Sequence, residues 1–157
     1  MASLQTLIEQ YVDGPKQLRE AIAGMSREQA LSRPIPGKWS TLEVVAHLAD
    51  FDPILADRMK RVIAEENPML VGADENKFAA ALAYTERDLD EEMTIIEATR
   101  SQFARILRKL PESALQRVGT HTERGPRTLE QLLTTSIGHI PHHVKFIHEK
   151  RLALGLK

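Results

Sequence analysis

The sequence predicts an all-α domain, a four-helix bundle with long crossover connections. Apolar residues recur at three- and four-residue spacing along four long stretches, the signature of helices that each bury one face. Ser or Thr followed three residues later by Glu, Gln or Asp opens several of these stretches, a pairing that satisfies the free amides of a helix start. The polar connections between the long stretches suit crossovers better than tight helical hairpins. No run shows a convincing strand alternation.

The first helix begins after Ser3 and lines up Leu4, Leu7, Ile8 and Tyr11. Gly14-Pro15 is expected to interrupt it, with Pro15 restarting a helix that carries Leu18, Ile22 and Met25. A short turn follows from Ser26 to Ala30, opened by a Ser26/Gln29 capping box, and SRPIPGKW is a connection. The second long helix starts at Ser40, paired with Glu43, and runs to about Glu65 through Pro53, where a kink is expected. ENPMLVGADEN is read as a loop, followed by a short helix around Lys77 to Ala83. The third long helix opens at Thr85, paired with Asp88, and runs to about Leu110 before Pro111 stops it. Residues 111 to 127 form a polar connection. Thr128, paired with Gln131, then caps a last helix that reaches about Leu154.

The 157 residues form one domain, 1–157, long enough to bury a core without covalent staples. Twenty-one basic against 22 acidic residues leave a formal net charge of -1, which offers no electrostatic footprint for nucleic acid or an anionic membrane. With no secretory signal and no apolar run of membrane-spanning length, the expected location is the cytoplasm. The absence of cysteine removes disulfides, thiolate ligands and cysteine nucleophiles, so any metal site must be built from nitrogen and oxygen.

That directs attention to the six histidines. His139 and His143 in GHIPHHVKFIH are four apart, about 40° around a helix axis, so both rings can reach one ion. Leu132, Ser136 and Phe146 share their face, while His148 lies on the opposite one. His142, three residues after His139, satisfies the spacing too; His143 is preferred as nearer the centre of the apolar stripe. A third ligand must come from another helix, and His47 is the candidate, since it lies among Val44, Val45, Leu48 and Phe51 where an imidazole needs partners. Three imidazoles leave one position open for water or substrate, the pattern of a catalytic rather than a structural site. Asp50, one turn after His47, is a candidate proton-transfer partner.

The run PIPGKWSTLEVVAHLADFD, with GTHTERGPRTLEQLL and HIPHH after it, resembles the DinB/YfiT-like family over nearly the whole chain. The resemblance implies a metal-binding four-helix bundle, usually a homodimer, with a divalent ion on three histidines that match His47, His139 and His143. It also implies kinship with thiol-dependent S-transferases, whose partner would be a low-molecular-weight thiol. Many relatives carry a polar residue, often glutamine, where this chain has Phe146. Three imidazoles suit zinc or nickel first, with iron or copper also compatible. The expected function is therefore that of a metal-dependent enzyme acting on a small molecule, by thiol S-transfer or hydrolysis. The alternative is a noncatalytic metal- or small-molecule-binding protein in stress response.

Overall fold

Ser3, Ser26, Ser40, Asp74, Asp88 and Thr128 each place a side-chain oxygen on amides of the following turn, and a helix starts at every one. A computed structural model describes residues 2–157. In it the helices are α1 (Leu4–Ile22), α2 (Arg27–Leu31), α3 (Thr41–Ala64), α4 (Glu75–Ala81), α5 (Leu89–Leu107) and α6 (Leu129–Ala153). The expected capping boxes at Ser26/Gln29, Ser40/Glu43 and Thr128/Gln131 are all formed. The four long helices make the bundle: α1 and α3 each pack against both α5 and α6, so α1 and α3 occupy opposite corners. Among the described residues no helix is long and apolar enough to cross a membrane.

Four sequence expectations are corrected. The third long helix opens at Leu89, not Thr85, because the Asp88 carboxylate takes the amides of Asp90 and Glu91, while Thr85 belongs to a 3-10 turn, Tyr84–Glu86. The short helix starts at Glu75, where Asp74 receives two amides, and ends at Ala81. Strands, unexpected from the pattern, form a small sheet: β1 (Met69–Leu70) runs parallel to β2 (Val118–His121), which pairs antiparallel with β3 (Gly125–Thr128). Gly125, at a left-handed φ of 68°, closes the β2–β3 hairpin. Gly119 on β2 allows the sheet to sit on the bundle, since a Cβ there would lie 2.8 Å from Val62 and 3.0 Å from Leu70.

The fourth correction is at Gly14-Pro15, where α1 runs on without a break. Pro15 has no amide, so the Tyr11 carbonyl loses its usual partner. Arg100 of α5 replaces it: Nη1 donates to the Tyr11 carbonyl at 2.8 Å. Gly14 leaves room for this approach, because a Cβ there would come within 2.7 Å of Nη1. The same guanidinium donates to both carboxylate oxygens of Asp52 on α3 at 2.8–3.1 Å and to the Ser136 carbonyl on α6 at 2.8 Å. Arg100 and Asp52 are each 1% exposed, and the guanidinium also stacks 4.5 Å over the Tyr11 ring. This polar layer joins all four long helices and divides the core. Tyr11, Met59, Phe103 and Leu133 pack on one side; Leu18, Leu48, Ile96 and Ile140 pack on the other.

Candidate metal centre

His47 sits in the second turn of α3 and is 1% exposed. Phe51, one turn on, packs its ring 4.7 Å from the imidazole, and Trp39 closes from the other side at 5.3 Å. His139 and His143 lie one turn apart on α6, which packs along α3. The bundle thus brings the three rings into a near-equilateral group: centroids are 5.0 Å apart for His47–His139, 4.7 Å for His47–His143 and 4.9 Å for His139–His143. One nitrogen from each ring lies within 4.8 Å of the others, and the Nε2 atoms of His47 and His139 stand 3.1 Å apart. Ligand nitrogens about 2.0–2.1 Å from a tetrahedral ion are roughly 3.3 Å from one another, and the His47–His139 pair is close to that spacing.

Electrostatics favour neutral rings, the form that ligates a metal. Burial pushes His47 down to about 3, with the His143 ring adding to the effect. Burial also pushes His139 down to about 3, reinforced by His47, His143 and the Arg100 charge, and His143 to about 4, reinforced by His142 and Lys150. Nδ1 of His47 and Nδ1 of His139 are buried without a hydrogen-bond partner. Among the described residues no carbonyl or carboxylate hydrogen-bonds to any nitrogen of the trio. A shared cation would take one nitrogen from each of the three rings at once, which the rings cannot do for one another.

Two sequence candidates lie elsewhere. His142 is exposed, with its ring 5.1 Å from His143 and 5.2 Å from Phe146; it lines the cavity but stands outside the trio. The Asp50 carboxylate is held by Arg87 at 3.0 and 3.1 Å, and Arg87 also bonds Glu92 at 2.9 Å. The fold therefore directs Asp50 toward the turn before α5 and away from the histidines. Glu75 was not foreseen: from the first turn of α4 it brings Oε2 to 3.8 Å from Nε2 of His47. Nothing in the local sequence marks it, because only the packing of α4 against α3 carries it there.

The trio lines a cavity of about 570 Å³, bounded by Arg58 of α3, Glu75, and the β2–β3 hairpin with His121, Arg124 and Arg127. A second cavity of about 270 Å³, between Trp39 and Phe146, shares His143 and Glu75 with the first.

The profile of the DinB superfamily matches residues 10–147. The chain belongs to the DinB superfamily. Among named relatives it is 27% identical over 140 residues to "Putative metal-dependent hydrolase OB0782" of Oceanobacillus iheyensis, covering 89% of this chain and 81% of that protein. A similarly named protein of Bacillus licheniformis is 27% identical over 153 residues, covering 97% of this chain and 87% of the relative. The solved structure of YfiT from Bacillus subtilis superposes with a TM-score of 0.90 at 24% identity, over 98% of this chain and 89% of that one. YfiT is described as "a probable metal-dependent hydrolase with an unusual four-helix bundle topology", and the DinB-superfamily chain shares its fold.

Proposed function

We propose that this DinB-superfamily chain is a metal-dependent hydrolase whose divalent ion is held by His47, His139 and His143. The observation that carries the reading is the trio itself: one buried and two half-buried imidazoles, all held neutral, converging beside a cavity of about 570 Å³. The names of the curated relatives and of YfiT support hydrolysis over the other chemistries open to such a site. Zinc or nickel suits the all-imidazole donor set best. Bound there, the ion supplies Lewis-acid polarisation of a carbonyl or phosphoryl group and makes water a stronger acid.

The chain's own groups do the rest. Phe51 and Trp39 keep bulk water from the back of His47 and fix its ring. Glu75 Oε2, 3.8 Å from Nε2 of His47, takes the proton released by the attacking water and returns it to the leaving group. The cavity falls within the range of small-molecule sites, so the substrate is a small molecule.

Thiol transfer would use the same three ligands with a thiol in place of water, and one assay separates the two. Purified protein is tested on ester, amide and phosphoester substrates, and in parallel on low-molecular-weight thiols with an electrophile. Hydrolysis abolished by chelation and restored by zinc or nickel is expected; turnover only in the thiol arm would overturn the hydrolase reading.

A further inference from the structure

Arg58, Arg124 and Arg127 line the wall of the same cavity that holds the three histidines. Among the described residues none of them has a carboxylate within salt-bridge distance, whereas Arg19, Arg33, Arg61, Arg87 and Arg100 all do. Arg58 donates one Nη2 hydrogen bond to the Val71 carbonyl at 2.7 Å, but its buried Nε has no partner. A buried N–H of a charged group without an acceptor is costly unless a ligand supplies one. Burial, and after it the like charge of Arg124, press Arg58 away from its charged form, and the nearby Glu123 and Asp57 offset this only in part.

Two of the three acids that share the cavity are engaged elsewhere. Asp74 receives the amides of Asn76 and Lys77 as the cap of α4, and Glu75 stands at His47. Glu123 lies against Gly72, where its carboxyl carbon would be 2.7 Å from a Cβ, and it acts on Arg58 and His121 through its charge without coming within salt-bridge distance of either.

The hairpin supplies the remaining donors. Residues opposite one another on paired strands share a face, so the pairs His121–Gly125 and Gly119–Arg127 put His121 and Arg127 on the same side. Nδ1 of His121 accepts the Glu123 amide at 3.2 Å, which leaves Nε2 as the hydrogen-bearing nitrogen of the neutral ring. Guanidinium forks match carboxylate and phosphate oxygens two at a time.

Building on the hydrolase reading, we infer that Arg58, Arg124, Arg127 and His121 form a receptor for an anionic group, so that the substrate is a small acid, a carboxylate or a phosphate, anchored there with its scissile bond toward the histidines. The hairpin is then a specificity element of the site.

Calorimetric titration of the purified full-length protein with inorganic phosphate, succinate and neutral succinamide tests this. Arg124→Gln, Arg127→Gln and His139→Ala are compared with wild type, and metal content is measured on every sample. Arg124 is exposed and, among the described residues, donates no hydrogen bond, so its replacement should leave the fold intact. Phosphate or succinate should bind the wild type, succinamide should not, and each arginine variant should weaken the anion by about tenfold, the loss expected for one charge-assisted contact. Binding should persist in His139→Ala. Anion binding unchanged in both arginine variants, lost only in His139→Ala, or absent from the wild type would overturn the receptor. Failure of the metal reading is separate: it would appear as metal content that no histidine substitution alters.

Discussion

Each site histidine exchanges water for apolar neighbours, and the three rings crowd within 5.0 Å of one another, so adding a proton to any of them is opposed twice. In the unfolded chain these rings titrate near 6.5; folded, His47 and His139 titrate near about 3 and His143 near about 4. Because the folded values are depressed, the neutral rings stabilise the metal-free fold fully above pH 6.5, and that contribution is lost as pH falls from 6.5 toward the folded values. The thermal midpoint of the chelated protein should therefore decline from pH 6.5 to 4, and His47→Leu should flatten the decline; a midpoint constant over that window would contradict it. Glu75 makes a second prediction at this scale. Glu75→Gln should lower kcat by roughly 10²–10⁴-fold, the usual worth of a positioned base, while metal content stays at the wild-type level.

At the scale of elements, the boundaries that sequence reading placed well are those with a cap. Ser40/Glu43 and Thr128/Gln131 fix where α3 and α6 begin, and hence which turn presents His47 and His139. Where long-range contacts decide, local pattern misleads. Pro15 reads as a break because the partner that repairs it, Arg100, lies 85 residues away in the sequence. The hairpin was missed because its strands are four residues each and largely polar, too short for an alternating pattern to register. Gly14→Ala tests the α1 account. Alanine is the better helix former, yet here its methyl group would meet Nη1 of Arg100 at 2.7 Å, so a loss of about 1–3 kcal/mol by denaturant unfolding is expected instead of a gain.

Across the whole molecule, one polar layer serves both stability and the site. Arg100 ties α1, α3, α5 and α6 together at Tyr11, Asp52 and Ser136, and Asp52 lies five residues after His47 while Ser136 lies three before His139. Removing one partner of such a buried pair leaves the other uncompensated, so Asp52→Ala should cost about 3–5 kcal/mol in unfolding free energy. The bundle and the His139/His143 pair were legible in periodicity and spacing. The placement of His47 against that pair needed the packing of α3 on α6, and the arginine-lined wall needed the hairpin, neither of which any local pattern encodes. The central claim is that these three rings hold one divalent ion. Elemental analysis of the protein purified from cells supplied with zinc and nickel tests it most directly. About one ion per chain in the wild type, lost in each of His47→Ala, His139→Ala and His143→Ala, is predicted from the converging nitrogens; a metal-free wild type, or variants that keep its full complement, would contradict it.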